Sequence, residues 1–381
     1  MKVTRRSLIA GFTVSAVLGV SACGGGSSTA EKAPANPIAV EEVPSYYPAE
    51  YSKVIEAAKA EGGSLTIYSN TDQENWAPIF RDFQKKYPFV KKIAANNLDS
   101  DEVFQRALSE QATGNSPADL LVSNAAQAWA EYAERPSTLA EYASPEVAEL
   151  PEHATLLPNV YAMSLDPMTI AYNTALIGDT KPTGLASLSQ IVAKDPEKFQ
   201  DKLTARDVNG AFGFSVSYDF AQARPDAWSD LEKVLPLARP EQSSGTQTEK
   251  ILAGEYLAGF FISAAPAYPV VQDSNGLMEV TFLDDGTVVL PRGIGIAPDA
   301  PHANTAKLFV DFVLSEEGQR AVAEGGLTSY RENVKAAAGL HTYQEVVDAV
   351  GEENVILAEY EKVSETDVDT FLSRWNGLLA R

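Results

Sequence analysis

The side chains in this sequence that are best suited to chemistry are those that can hold a small anion. The run Ser243-Ser244-Gly245-Thr246 precedes an apolar helical stretch, so its hydroxyls and free backbone N–H groups could bind an anion at a helix N-terminus. The same run would also serve as a plain N-cap. Arg292 follows an apolar strand, and its guanidinium could grip a carboxylate or phosphate, or pair with one of the 52 acidic residues.

The other candidate ligand-binding residues lie in or near predicted strands and helices. Five hydroxyl or amide side chains directly follow predicted strands, namely Ser69, Asn70, Thr71, Ser123 and Asn124. Polar residues after a buried strand are also ordinary turn formers. Tyr172 and Tyr218 could stack on a ligand or hydrogen-bond with it, although a tyrosine in or near a strand more often belongs to the core.

Motifs of the common enzyme classes are missing from the sequence. It contains no Gly-x-Ser-x-Gly elbow, no His-Glu-x-x-His pattern and no P-loop. Gly293-Ile294-Gly295 is followed by Pro298 where a dinucleotide fingerprint requires a third glycine. Spacing alone leaves open a pair of catalytic carboxylates among the 52 acidic residues. We predict that the protein is not an enzyme and that it uses no cofactor.

The N-terminus is typical of an export signal. Three basic residues precede an uncharged run over 8–20, which is too short to span a bilayer comfortably. The run ends in small residues before Cys23, the only cysteine, and resembles the bacterial lipobox, in which the cysteine is acylated and becomes the mature N-terminus. The alternative is a chance cysteine behind an ordinary cleavage site. We predict a signal peptide over 1–22, of general or twin-arginine type, and a lipidated flexible tether over 23–48, rich in Gly, Ser, Ala and Pro.

The charge of the chain excludes one class of partner. Its formal net charge is -22, and removing the predicted signal peptide deletes three positive and no negative side chains, which gives -25. Phosphate backbones would be repelled, so nucleic acid is not a predicted partner. Once Cys23 is acylated, no thiol is left for a disulfide or a zinc-thiolate site.

Short strands alternate with helices along the chain, which predicts an α/β fold with a mostly parallel sheet. The clearest alternation is a helix over 49–61, a strand over 64–68, a helix over 76–87, a strand over 90–95, a helix over 101–113 and a strand over 118–122. In such sheets ligands lie beyond the carboxyl ends of the strands. After Pro301 the pattern predicts helices to the chain end.

The order of the elements predicts two lobes. Lobe 1 is predicted to be discontinuous, formed by 49–168 and 290–381, and lobe 2 is the insertion 169–289. Strands near 168–173 and 288–292 would join the lobes.

Several segments together resemble bacterial extracellular solute-binding proteins of the ferric-iron, thiamine and phosphonate type. They are 64–70, 118–121, 170–174, 243–245 with 254–256 and, as the most specific, 300–319. The resemblance implies a two-lobe fold of the type II periplasmic-binding-protein kind, with hinge strands and a cleft that closes on a small-molecule solute. It also implies a monomer, tethered at the bacterial membrane in the periplasm or at the cell surface, that delivers its ligand to the permease and ATPase subunits of an ABC importer.

The resemblance leaves the ligand open. The predicted ligand is a small organic anion, because of the hydroxyl-rich run at 243–246 and Arg292. The alternative is ferric iron, which relatives bind with paired adjacent tyrosines, whereas here the only adjacent pair, Tyr46-Tyr47, lies in the predicted tether. Asp72 and Glu74 remain candidate iron ligands, but no metal site is predicted. A sensor subunit that presents its ligand to a membrane signalling protein, and a structural surface protein, are further alternatives.

Overall fold

The computed structural model describes residues 43–331, 334 and 341–379. The strands are β1 (Ser64–Ser69), β2 (Lys92–Asn97), β3 (Leu120–Ser123), β4 (Thr155–Leu157), β5 (Val160–Asn173), β6 (Leu203–Arg206), β7 (Ala238–Glu241), β8 (Ala258–Ser263), β9 (Met278–Phe282), β10 (Thr287–Ile296) and β11 (Val355–Leu357). The helices are α1 (Tyr51–Ala60), α2 (Gln73–Lys86), α3 (Glu102–Ala112), α4 (Ala126–Ala133), α5 (Leu185–Lys194), α6 (Pro196–Phe199), α7 (Ala211–Ala223), α8 (Trp228–Val234), α9 (Ser244–Leu252), α10 (Ala264–Asp273), α11 (Ala303–Leu314), α12 (Glu316–Glu324), α13 (Tyr343–Val350) and α14 (Glu365–Leu378). None of the helices in these ranges is both long and apolar enough to cross a bilayer.

One long strand connects the two halves of the sheet. Strand order is β2-β1-β3-β10-β5-β8-β6-β7, with β11 on β10 and with β4 and β9 on β5. All 14 residues of β5 are buried; residues 161–167 pair with β10, and residues 168–173 pair with β8 and β9. A strand this long, against a usual five or six residues, can belong to both halves.

The sheet is mixed, with both parallel and antiparallel pairs, so the prediction of a mostly parallel sheet is wrong. Strands β1, β2 and β3 are parallel to one another, as are β6, β7 and β8, which is what the alternation of strands and helices predicted. However, β10 runs antiparallel to β3 and β5, and β5 runs antiparallel to β4, β8 and β9. The two long strands carry the chain between the halves of the sheet, and this return path cannot be inferred from local alternation.

The C-terminal part of the chain departs from the predicted lobe boundaries. Strand β11 interrupts the predicted run of helices and pairs with β10, and Tyr360 then donates a hydrogen bond to the Pro291 carbonyl over 2.7 Å. Beyond it, Phe371 of α14 packs on Phe214 and Trp228, with ring centroids 5.6 and 6.0 Å apart. Helix α14 therefore covers α7 and α8, which lie inside the segment predicted as lobe 2, although α14 itself falls in the segment predicted as lobe 1.

Local sequence explains why α14 forms where it does. Ser364 accepts a hydrogen bond from the Asp367 backbone N–H, and Glu365 and Asp367 place negative charge in the first turn. Phe371 and Trp375 are four residues apart and buried on one face. The helix thus has a clear start and an apolar face, and the aromatic side chains of α7 and α8 offer that face a partner.

The end of the predicted tether packs against the folded chain. Cys23 and the predicted signal peptide lie outside the described residues, but residues 43–48 of the predicted tether lie inside them. The Tyr46 and Tyr47 hydroxyls donate hydrogen bonds to the Glu146 carboxylate over 2.9 and 2.7 Å, and Arg331 also pairs with it. A buried carboxylate requires such donors, so the tether cannot extend as far as residue 48.

The buried carboxyl of Asp219 on α7 predicts a pH dependence of stability. Burial, together with nearby Glu359, raises the pKa of Asp219 to about 7, and its Oδ2 has no hydrogen-bond partner among the described residues. The folded state therefore favours the protonated form, and the penalty of ionisation builds up as pH rises from about 4, the usual pKa of an aspartate, to about 7. We expect Asp219→Asn to stabilise the protein by on the order of 2–4 kcal/mol at pH 8, since each pKa unit corresponds to about 1.4 kcal/mol.

Denaturant unfolding at pH 8, 7, 6 and 5 measures this effect, and the difference between Asp219→Asn and wild type should shrink with each step down in pH. The exposed Asp226→Asn serves as the matched control, with a flat difference expected. A pH-independent difference for Asp219→Asn would contradict the prediction.

Candidate ligand-binding cleft

The candidate site is a cavity of about 340 Å³ where the carboxyl ends of six strands meet. Residues at or just after these strand ends line it: Asn70 after β1, Asn97 in β2, Asn124 after β3, Arg206 in β6, Gln242 after β7 and Ser263 in β8. The volume falls within the usual range for small-ligand sites, and the position is the one expected of ligands in open α/β sheets.

Seven of the twelve predicted ligand-binding residues line this cavity. They are Asn70, Thr71, Asn124, Ser243, Ser244, Gly245 and Arg292. They come from four separate parts of the chain, and the convergence of strand ends brings them together.

Three of the remaining predicted residues lie next in sequence to residues that line the cavity but do not line it themselves. The Ser69 hydroxyl accepts the Thr71 backbone N–H over 2.9 Å, and the Ser123 hydroxyl accepts the Ala125 backbone N–H over 3.2 Å. Thr246 turns its hydroxyl to that of Ser243, 2.8 Å away. The Ser69 and Ser123 hydroxyls satisfy the backbone of their own turns, and Thr246 belongs to the cap of α9, which are the ordinary alternatives for these residues.

The two predicted tyrosines lie away from the cavity. The Tyr172 hydroxyl donates to Glu279 over 2.7 Å, and the Lys181 ammonium lies 5.9 Å from the centre of its ring. Tyr218 stacks on Phe214 with a centroid distance of 5.1 Å and meets the edge of Phe371. Both are therefore held by protein side chains.

Arg292 lines the cavity, but its charge is already engaged. Its Nη2 donates to the Asp166 carboxylate over 2.5 Å, and its Nη1 donates to Asn70 Oδ1 and Thr71 Oγ1, each over 2.7 Å. Arg292 and Asp166 are 4% and 1% exposed. Only Nε of the guanidinium has no partner among the described residues. Arg292 therefore holds Asn70 and Thr71 at the cavity wall, which is a positioning role.

Arg206, a residue that the sequence analysis missed, has the free positive charge. It ends β6, and its Nε and Nη1 are buried without a hydrogen-bond partner among the described residues. Burial lowers the pKa of Arg206 to about 10, although the nearby Asp207 and Asp99 act in the opposite direction. The side chain is thus still a cation at neutral pH. Its guanidinium lies over the Phe212 ring, 4.6 Å from the centroid.

Two helix N-termini add to the positive potential around the cavity. Ser243 caps α9 by accepting the Thr246 backbone N–H over 3.0 Å, so the run 243–246 is a helix cap that also lines the cavity. The Ser244 hydroxyl accepts the backbone N–H of Ser263, the residue before α10, over 3.1 Å. This bond ties the start of α9 to the start of α10, and both dipoles favour an anion nearby.

The groups that would bind bare ferric iron are not assembled in the cavity. Its lining contains no tyrosine and no histidine, and its only carboxylates are Asp72 and Asp99; Glu74 is not part of it. Among the described residues, no three His, Cys, Asp or Glu side chains are grouped so that they could hold a metal ion. The Tyr46-Tyr47 pair contacts Glu146.

Comparison with known proteins identifies the family and the fold. The sequence profile described as "Bacterial extracellular solute-binding protein" matches residues 78–347. A curated relative, Iron uptake protein A1 of Synechocystis sp. (strain ATCC 27184 / PCC 6803 / Kazusa), is 26% identical over 286 residues, which cover 68% of this chain and 73% of the relative.

Two solved structures resemble the chain closely in fold. The substrate binding protein of the ABC transporter from Agrobacterium tumefaciens superposes with a TM-score of 0.74 at 18% identity, over 84% of this chain and 96% of that protein. The periplasmic binding protein AfuA from Actinobacillus pleuropneumoniae, with fructose-6-phosphate bound, superposes with a TM-score of 0.65 at 20% identity, over 83% and 98% of the chains.

The predicted α/β fold of the type II periplasmic-binding-protein kind is therefore confirmed. Family and fold are those of solute-binding proteins, not of enzymes. Because the profile match spans more than two thirds of its length, the chain belongs to the family of bacterial extracellular solute-binding proteins.

Proposed function

We propose that the protein captures a small organic anion in the cleft and delivers it to the membrane permease of an ABC importer. The observation that carries the proposal is the Arg206 guanidinium, which lies at the cavity with two buried nitrogens unpaired. A buried cation without a partner is unfavourable, and an anionic ligand would supply the missing partner.

The surroundings of Arg206 support the same ligand class. The starts of α9 and α10 add partial positive charge, while Asn124 and Gln242 offer amide donors. A micromolar complex corresponds to about 8 kcal/mol. Several charge-assisted hydrogen bonds of about 1.5 to 3 kcal/mol each could supply that energy for a small anion, after the loss of ordering entropy.

Closure of the cleft would couple capture to delivery. The cavity wall draws residues from both halves of the sheet, so a ligand that contacts Arg206 and Asn124 at once would favour the state in which they are close. The closed state can gain only the difference between the affinities of the closed and open states. The permease would then distinguish the loaded protein by its shape.

Ferric iron is a second candidate, since one relative is named Iron uptake protein A1. The cavity would suit an anionic ferric chelate better than the bare ion, because its lining has no phenolate or imidazole ligand. AfuA, with the same fold, holds a sugar phosphate.

Membrane attachment through acylated Cys23 and a monomeric state are also part of the proposal, and both rest on the sequence. A sensing role is the alternative to transport.

A thermal-shift screen of the purified protein, unfolded and refolded to remove carried-over ligand, tests the ligand class. The panel contains organic carboxylates, phosphate esters, phosphonates and ferric chelates, with neutral sugars as controls. A ligand at a hundred times its dissociation constant adds about 2.7 kcal/mol of stability, which raises the melting temperature measurably. We expect a shift with one anion class. A shift with ferric chelates alone would favour iron, and a shift with neutral sugars alone would overturn the anion proposal.

A further inference from the structure

The cleft does not end at Arg206. A second cavity of about 260 Å³ adjoins the first and shares five wall residues with it: Asp99, Ser100, Arg206, Phe212 and Gln242. Its remaining walls are Asp101, Asp207, Asn209, Gly210 and Ala211, at the starts of α3 and α7. Arg206 and Phe212 therefore stand at the border of two connected compartments.

The two compartments differ in the hydrogen-bonding groups that they offer. The first has amides, the starts of α9 and α10, and the carboxylates of Asp72 and the shared Asp99, beside the shared Arg206. The second has three carboxylates, and those of Asp99 and Asp101 accept no hydrogen bond through their side chains from any other described residue. Asp207 uses one oxygen, Oδ1, for the backbone N–H and side-chain amide of Asn209, at 3.0 and 2.7 Å. The second compartment is thus rich in unused acceptors.

The carboxylates of the second compartment disfavour an anion that has no hydrogen-bond donor. A ligand with negative charge alone would satisfy Arg206 but would bring its charge towards Asp99, Asp101 and Asp207. A ligand whose far end donates hydrogen bonds would satisfy both compartments. Charge-assisted hydrogen bonds to carboxylates are stronger than neutral ones, so the far end should contribute substantially to affinity.

We propose that the ligand is a bifunctional organic anion, with a carboxylate or phosphate held by Arg206 and a hydrogen-bond-donating end, hydroxyl or ammonium, held by Asp99, Asp101 and Asp207. The inference rests on the proposed function and deepens it. Its anionic end binds between Arg206 and the starts of α9 and α10. The chain of the ligand then passes Phe212 into the second compartment.

A matched series of probes tests the inference by calorimetry on the purified protein. One set is propyl phosphate, 3-hydroxypropyl phosphate and 3-aminopropyl phosphate; the other is butanoate, 4-hydroxybutanoate and 4-aminobutanoate. Within each set the anionic end is constant and only the far end changes. We expect the hydroxyl or the ammonium probe of at least one set to bind tenfold or more tightly than its plain partner. The better of the two identifies the donor.

The possible failures are distinguishable. If plain and donor-bearing probes bind equally well, the bifunctional ligand is excluded and the anion proposal stands. If no probe of either set binds, while ferric chelates or neutral sugars do, both proposals fail together.

Variants of the second compartment provide an independent measurement. We define the ratio as the affinity for the ammonium probe divided by the affinity for the plain probe of the same set. In the double variant Asp101→Asn with Asp207→Asn, this ratio should fall at least threefold. The matched control is Glu249→Gln, which removes one acidic charge from the exposed side of α9, outside both compartments, and should leave the ratio unchanged. An unchanged ratio in the double variant, with folding confirmed by its unfolding transition, would overturn the assignment of these carboxylates.

Discussion

Replacing Arg206 with methionine is expected to weaken anion binding at least 100-fold while leaving the ligand-free protein as stable as wild type or more stable. The first effect follows because Arg206 has the only buried, unpaired cationic group among the described residues that line the first cavity, apart from Nε of the engaged Arg292. The second follows because Nε and Nη1 are desolvated without a partner, so removing the charge removes a penalty. Calorimetry and denaturant unfolding measure the two effects.

Two further variants make this result interpretable. Arg206→Lys keeps the charge but loses the planar fork, so it should recover part of the affinity. Arg135→Met removes one positive charge from an exposed position outside the cleft and should bind as wild type does. If Arg206→Met bound the anion normally, Arg206 would not belong to the site. If it unfolded easily, the guanidinium would have a structural role that its geometry does not show.

The expectation that ligands lie at the carboxyl ends of strands predicts much of the cleft. It fails for Arg206, because the strand that Arg206 ends is hard to recognise in the sequence. Asn70, Thr71 and Asn124 could be predicted because their strands are recognisable as apolar runs. Arg206 could have been found by the same rule, but β6 is only four residues long, with two apolar and two polar residues, and does not stand out in the sequence. A short strand gains its stability from its neighbours β7 and β8, which single-sequence patterns do not reveal.

Contacts between residues that are far apart in the sequence also could not be predicted. The amphipathic pattern of α14 predicts a buried face, yet nothing local shows that Phe371 will meet Phe214, which lies over 150 positions away. Arg292 is a similar case. Its type and position fit an anion ligand, but its engagement by Asp166 depends on the pairing of β10 with β5, which places Arg292 opposite Ser164. An arginine's role therefore depends on a partner that sequence alone cannot supply.

Replacing Arg292 with methionine should have the opposite consequence for stability from the same change at Arg206. It would leave the Asp166 carboxylate, which is 1% exposed, without its charged partner. Breaking a buried pair from one side typically lowers the free energy of unfolding by about 3–5 kcal/mol. Asn70 and Thr71 would also lose the donor that fixes them at the cavity wall, so anion affinity should fall as an indirect result.

The double variant Arg292→Met with Asp166→Leu separates the cost of the orphaned charge from that of lost packing. Replacing both members of a buried pair with apolar residues is often neutral or stabilising, so we expect the double variant to recover most of the stability lost in the single one. Denaturant unfolding of the wild type, both single variants and the double variant completes the cycle. A loss below about 1 kcal/mol for Arg292→Met would contradict the buried-pair argument.

Arg292→Met and Arg206→Met remove the same charge and similar volume from residues of one cavity, so the difference between their effects isolates the role of the partner. Arg292 has Asp166 within hydrogen-bond distance, and its loss should be felt mainly in folding. Arg206 has no such partner, and its loss should be felt mainly in binding. If both variants lost stability equally, Arg206 would have to be paired within the protein. Its guanidinium would then have no unpaired donors for an anion, and the anion proposal would lose its main support.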